Sequence, residues 1–191
     1  DEGPALLLAG PGTGKTKTLT AKIVRLLTSG KALPGQILAL TFTNKAAKEM
    51  KHRIESVEGQ DANRVWAGTF HSLFARILRT EAHRLGFPND FTIYDTDDTK
   101  SVMEEIIKTL NLDRKVYVAG QVRSRISSAK SNLITPKAYA ANDDLMAMDR
   151  MNRRPLIYQI YEKYVAKCQK AGAMDFDDLL LQMFRLLYQN P

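Results

Sequence analysis

The sequence predicts an α/β fold: a parallel sheet carrying a glycine-rich phosphate loop, with a mainly α-helical subdomain inserted into it. Three observations predict it. Short apolar runs at 5–8, 37–42 and 65–69 each precede an amphipathic helical pattern. The first of these junctions is rich in glycine. After Pro88 the alternation gives way to mainly helical patterns.

Ala5-Leu6-Leu7-Leu8 is the first expected strand, and the helix behind it carries Leu19, Ile23, Leu26 and Leu27. Between them stands Ala9-Gly10-Pro11-Gly12-Thr13-Gly14-Lys15-Thr16. Strand, glycine-rich turn and helix make the context of a P-loop. Glycines let the backbone curl until successive N–H groups face one concavity, and the helix adds its positive end. A triphosphate is then held by donors already in place. Lys15 is expected to reach the β- and γ-phosphates of ATP, and the Thr16 hydroxyl to complete a Mg²⁺ site. The expected nucleotide contacts are Ala9, Gly10, Pro11, Gly12, Thr13, Gly14, Lys15, Thr16 and Lys17. Ala9 stands where the pattern usually has its first glycine, and is small enough to leave the loop room. An ordinary glycine-rich turn is the competing reading. A P-loop names a ligand and not a task.

Ile37-Leu38-Ala39-Leu40-Thr41-Phe42 is the second expected strand, buried, with Asn44 as N-cap of a helix carrying Ala46, Ala47, Met50 and Ile54. Val65-Trp66-Ala67-Gly68-Thr69 is the third, followed by a helix with Phe74, Ile77, Leu78 and Leu85 that closes at Gly86. Phe91-Thr92-Ile93-Tyr94 is a brief extended piece, and Asp95 caps a helix bearing Met103, Ile106, Ile107 and Leu110. Further helices are expected over 122–130, after Thr135-Pro136, and through Leu156, Ile160, Tyr164 and Cys168 to Gly172. Asp175 and Asp178 form a capping-box pattern opening the last helix, with Leu179, Leu180, Phe184 and Leu187. The expected organisation is a sheet domain at 1–88, a helical insertion at 89–172 and a return to the first domain at 173–191.

The chain has 191 residues, of which 44% are hydrophobic, enough to bury a core. No apolar run is long enough to cross a bilayer. The single cysteine, Cys168, excludes an internal disulfide, reads as packing, and fits a cytoplasmic location. His52, His71 and His83 are scattered and make no metal cluster. The net charge is +7, and its distribution matters more than its size. No acid stands between Glu2 and Glu49, while Lys15, Lys17, Lys22, Arg25, Lys31, Lys45 and Lys48 do. A second acid-free stretch holds Arg114, Lys115, Arg123, Arg125, Lys130 and Lys137. Such basic excess suits a nucleotide or a polynucleotide, and suits a solvated basic face equally.

Ligands of open α/β sheets sit at the carboxyl ends of the strands. Two such ends, besides the phosphate loop, hold Thr41, Phe42, Thr43 and Asn44, then Thr69, Phe70, His71 and Ser72. A ring stacks on any base, while hydroxyls and amides hold phosphates. That combination suits single-stranded nucleic acid without sequence preference. For each aromatic taken alone, core packing at a strand end is the commoner role.

Four segments together resemble the superfamily I DNA helicases of the UvrD/Rep/PcrA type. They are Ala9 to Thr16, the run Thr41-Phe42-Thr43-Asn44-Lys45-Ala46-Ala47-Lys48-Glu49-Met50, Gly68-Thr69-Phe70-His71-Ser72, and Met174-Asp175-Phe176-Asp177-Asp178-Leu179-Leu180. Phe91 to Asp95 and Ile126 to Asn132 also resemble that family's inserted helical subdomain. The resemblance implies a P-loop NTPase motor domain of RecA-like fold that translocates on single-stranded DNA and unwinds duplex in the 3′-to-5′ direction. It implies MgATP on Lys15 and Thr16, and a DNA track through Thr41, Phe42, Thr43, Asn44, Thr69 and His71. It places the insertion's basic stretch toward the duplex junction.

No run of four hydrophobic residues ends in the Asp-Glu pair of such a motor's metal site. Thr92-Ile93-Tyr94-Asp95 lacks the glutamate, and Asp177-Asp178 is not expected to follow a buried strand. Helix capping is the reading for both. The resemblance puts the acidic motif beyond Pro191, an adenine-reading glutamine before Asp1, and a second motor domain elsewhere in the same protein. The chain is therefore expected to be a piece of an ATP-dependent helicase and inactive alone. The motor subunit of a helicase–nuclease or repair complex is an alternative, and a small-molecule P-loop kinase a more distant one.

Overall fold

The computed structural model describes residues 3–8, 10 and 14–190. The expected contacts Ala9, Pro11, Gly12 and Thr13 lie outside the described residues. The chain forms two compact units, Asp1–Leu73 and Phe74–Pro191.

In the first unit, helix α1 (Lys15–Thr28) leads to strand β1 (Leu38–Thr41), helix α2 (Asn44–Glu58) and strand β2 (Trp66–Thr69). The two strands are parallel, with Leu38 opposite Trp66 and Thr41 opposite Thr69. Strand, helix, strand in parallel order is the βαβ unit that the alternating pattern predicts. Its core joins Ile23 of α1 to Ala39, Met50, Ile54, Val65 and Ala67. These are the apolar positions expected to face inward, because β-branched and straight apolar side chains on one stripe exclude water together.

Three local expectations are corrected. Ala5 to Leu8 is not a strand, and its leucines are exposed. A strand needs a hydrogen-bonded neighbour, and β1 and β2 pair with each other. The second strand is only half buried: Ala39 faces the core while Leu38 is exposed. Thr43, not Asn44, caps α2, its hydroxyl accepting the Ala46 N–H at 3.2 Å. Thr43 keeps an extended backbone, which lets the side chain fold back over the first turn, whereas Asn44 is already helical.

Helix α3 (Phe70–Glu81) starts directly after β2 and crosses the unit boundary. The expected loop at Gly68 to Ser72 is thus a strand end joined to a helix start. Gly86 ends the turn beyond α3 in left-handed backbone, φ 79°, as expected.

In the second unit, strand β3 (Thr92–Tyr94) is followed by helices α4 (Thr96–Thr109), α5 (Ala119–Ser131), α6 (Pro136–Ala140), α7 (Asp143–Met151) and α8 (Ile157–Lys170). The chain then returns through strand β4 (Ala173–Asp175) to helix α9 (Phe176–Gln189). β3 and β4 are parallel, Thr92 opposite Ala173 and Tyr94 opposite Asp175. The helical segment is therefore an excursion that leaves and re-enters at adjacent strands. One core gathers Met103, Ile107, Val122, Ile126, Ile160 and Tyr164 among the helices. Another gathers Leu78, Phe91, Met174, Leu179, Met183 and Leu186 around the two strands. Cys168 packs in the first of these, and burial pushes its thiol up to about 11, so it is inert as a nucleophile at neutral pH.

Asp175 caps α9 in a reciprocal box with Asp178, as the spacing predicts, and Asp95 caps α4 as expected, in a box with Asp98 that was not expected. The expectation that no buried strand precedes Asp177-Asp178 is corrected, because all three residues of β4 are buried. A strand of three residues is too short to show a period, and it is defined by its partner β3. Helix α7 was not predicted either. Its one buried residue is Asp149, so no apolar stripe announces it.

Gly172 joins α8 to β4 at φ 58°, and a Cβ built there would lie 2.8 Å from Pro88 Cγ. Neither the left-handed backbone nor the rigid ring accommodates a methyl group. Gly172→Ala is expected to lower unfolding stability by about 1–2 kcal/mol from the backbone conformation alone. Chemical denaturation compared with Gly120→Ala, where a Cβ meets open space, measures it; equal stability would contradict the account.

Candidate nucleotide and nucleic-acid site

Gly14 precedes α1 in left-handed backbone, φ 82°, a conformation that glycine adopts at little cost. It turns the chain so that α1 begins at Lys15, with no acid in the first turn to compete for its N-terminal donors. Lys15 Nζ donates to the Gly10 carbonyl at 2.6 Å, so the amine bends back toward Gly10. Thr16 is half-buried, while Lys15 and Lys17 are exposed. A left-handed glycine, an acid-free helix start and a folded-back lysine fit a bound polyphosphate. Among the described residues no group of three or more His, Cys, Asp or Glu could hold a metal ion. The Thr16 hydroxyl, at the start of α1, is a group that could ligate a Mg²⁺ carried by a bound nucleotide.

The parallel pairing sets the second and third expected loops side by side at the carboxyl ends of β1 and β2. Thr41 Oγ1 donates toward the Thr43 and Gly68 carbonyls, at 3.2 and 3.4 Å, tying the two ends together. Just beyond Thr41, Phe42 is 91% exposed. Its ring centre lies 5.4 Å from that of Phe70, tilted by 44°. The core-packing alternative does not describe Phe42. A large apolar ring held out at a strand end costs solvation, and that cost is recovered when something stacks on it.

The other expected contacts are differently placed. The Thr43 hydroxyl is engaged in capping α2. Thr69 is buried, and its Oγ1 donates to Ser72 Oγ at 3.1 Å and accepts the Ser72 N–H at 3.3 Å. It thus fixes the start of α3. Asn44 is exposed, and Thr41 and His71 are half-buried. Phe42 and Asn44 are thus the expected track residues that face solvent with no side-chain role in capping α2.

The basic stretch of the second unit is corrected more sharply. Lys130 does not face solvent: it is 2% exposed. Its Nζ bonds Asp175 Oδ2 at 2.7 Å and Asp178 Oδ1 at 2.8 Å. Tyr164 donates to the same Asp175 oxygen at 2.7 Å, and the ammonium lies 4.8 Å from the Tyr164 ring centre. Burial opposes the lysine's charge, but the two carboxylates overcome it and hold Lys130 protonated. Burial likewise opposes charge on Asp175, yet Lys130 and Tyr164 keep it ionised. Burial pushes Asp178 up to about 6, with the neighbouring Asp175 charge adding to the effect and Lys130 opposing it. A sequence signal for this cluster exists: Lys130 shares the four-residue spacing of Val122 and Ile126, the inward face of α5. Arg125 is also withdrawn, its Nε bonding Asp149 at 3.1 Å and Tyr139 at 2.8 Å. Arg114, Lys115 and Lys137 remain exposed.

Gly14 with the start of α1, the paired strand ends and the capping boxes fall at the segments that resemble the helicases. A family model described as the UvrD/REP helicase N-terminal domain matches residues 1–191. The chain belongs to the UvrD/Rep helicase family. This UvrD/Rep-family chain is 40% identical over 190 residues to proteins named ATP-dependent DNA helicase PcrA from Staphylococcus epidermidis and from Bacillus subtilis strain 168. It is 39% identical over the same length to the protein of that name from Staphylococcus aureus strain Mu50. Each match covers all of this chain and 25% of the relative, so the chain spans about a quarter of the length of the curated relatives it matches. Among the described residues, no helix of this family member is long and apolar enough to cross a membrane.

Proposed function

We propose that this chain is the ATP-binding amino-terminal part of an ATP-dependent helicase that moves 3′ to 5′ on single-stranded DNA and unwinds duplex. The observation that carries the reading is Phe42, exposed at the carboxyl end of β1 beside Phe70. The names of its relatives support the ATP-dependent class. The proposed arrangement is a RecA-like motor domain begun at 1–88, a helical insertion at 89–172 and a return at 173–191. The parallel pairs β1–β2 and β3–β4 are consistent with it.

The residues divide the work by chemistry. Backbone donors at Gly14 and the start of α1 bind phosphate oxygens, and Lys15 neutralises the terminal ones. Thr16 supplies a metal-ligating hydroxyl. Bound ATP supplies the phosphoryl transfer whose free energy drives movement. Phe42 stacks on one base, and Thr41, Asn44 and His71 border the strand. Arg114, Lys115 and Lys137 are the cations left to meet DNA backbone. Water activation needs a carboxylate pair that the buried acids among the described residues do not supply, since Asp175 and Asp178 are committed to Lys130 and Asp149 to Arg125 and Tyr139.

Phe42→Ala is expected to weaken binding of single-stranded oligonucleotides by about 1–3 kcal/mol at every salt concentration. The slope of log affinity against log salt should stay unchanged, because no phosphate contact is lost. Lys115→Ala should flatten that slope instead. Fluorescence anisotropy at several salt concentrations separates the two. A folded Phe42→Ala protein that binds as well as wild type would remove the observation on which the track rests.

A further inference from the structure

The second unit carries a groove of about 630 Å³ that the nucleotide and strand contacts do not use. One wall is the outer face of α5, where Gly120, Ser124 and Ser128 recur every fourth residue. The other wall is the end of α7, with Met148 and Asn152. Met148 is 48% exposed and nearby Val118 41%, so the groove holds apolar surface open to water. Small side chains let another backbone approach closely, and methionine adapts to varied partners. A phosphate backbone has no use for an apolar wall, since protein–DNA contacts are polar and strongly charged.

The groove is bordered by cations. Arg154 lines it, Nη1 donating to Gln121 Oε1 at 2.8 Å. Tyr117 Oη accepts the Leu156 N–H at 3.2 Å, which brings the segment carrying Arg114 and Lys115 to the turn carrying Arg153 and Arg154. Two acids are nearby. Asp149 is buried and held by Arg125 and Tyr139, and Asp113 accepts the Lys115 backbone N–H.

We propose that this groove docks an acidic amphipathic helix of a partner protein. An apolar residue of that helix seats between Met148 and Val118, and its flanking carboxylates meet the Arg153–Arg154 turn. Charge complementarity selects this occupant: an apolar slot with Arg154 on its wall and Arg153 next to it disfavours basic segments and rewards acidic ones. The inference goes beyond the helicase reading, and its failure leaves that reading standing.

The probe is a fluorescein-labelled helical peptide of about four turns, with leucines at i, i+3, i+4 and i+7 and glutamates elsewhere. Fluorescence anisotropy on the full chain should show saturable binding, at least about tenfold weaker for a scrambled peptide of equal composition. Ser124→Phe, which fills the groove, and Met148→Glu, which charges it, should each weaken binding about tenfold or more. Both positions are exposed, and circular dichroism checks folding. In the unsubstituted chain the Met148 methyl resonance should shift on titration, which needs no variant. No binding, equal binding of the scrambled peptide, or an unshifted Met148 methyl would overturn the proposal. So would a duplex oligonucleotide whose affinity falls on Ser124→Phe while the peptide's does not.

Discussion

Lys15→Ala is expected to remove most nucleotide binding while leaving the fold intact. Lys15 is exposed, and its amine bends onto the Gly10 carbonyl rather than into a core. Truncating an exposed side chain leaves no core cavity. What disappears is a charge-assisted contact to phosphate, worth roughly 1.5–3 kcal/mol or about ten- to hundredfold in affinity. Lys15→Arg should not rescue, because a planar guanidinium on a longer reach does not replace a compact ammonium. Isothermal titration with MgATP and MgADP measures both variants, and unchanged thermal unfolding shows the fold is kept. Equal affinity of wild type and Lys15→Ala would sink the phosphate-loop assignment.

Lys130→Ala should unfold or loosen the second unit. The change strands two buried carboxylates, Asp175 and Asp178, beside the Tyr164 hydroxyl. Breaking a buried pair from one side costs about 3–5 kcal/mol, because the remaining charge has neither water nor partner. Asp175→Asn should cost a similar amount, since Asp175 also caps α9 and accepts from Tyr164. Asp178→Asn should be milder and should change the pH dependence. In the folded chain Asp178 titrates near 6, above its unfolded value of 3.8. The native state thus holds an extra proton between those values, and the wild type loses stability as pH rises through that window. Asparagine carries no such proton, so the variant should show a flatter profile between pH 4 and 6. Urea denaturation at several pH values reads all three. A wild-type profile no steeper than that of Asp178→Asn would refute the assigned titration.

Much of the local architecture is written in short-range patterns. The four-residue spacing of Met50 and Ile54, the stripe Met103-Ile106-Ile107, and the aspartate pairs at 95/98 and 175/178 each act within one or two turns. Their outcome needs nothing distant, so these stripes and the Asp95 and Asp175 caps form where the sequence places them. The same holds for the family, which rests on contiguous runs such as Thr41 to Met50 and on the match over residues 1–191.

Long-range pairing decided the rest. Whether an apolar run becomes a strand depends on a neighbour: β4 exists because β3 lies beside it, and Ala5 to Leu8 stays unpaired. Whether a cation faces DNA or a core depends on what its helix face meets. Lys130 and Arg114 belong to one acid-free stretch, yet Lys130 is buried against Asp175, 45 residues on, and Arg114 stays in water. Phe42 and Phe70 are similar aromatic residues at two strand ends, and only packing leaves Phe42 outside. Composition and periodicity describe a residue's own segment. Burial is a property of the surface it meets, and that surface comes from elsewhere in the chain.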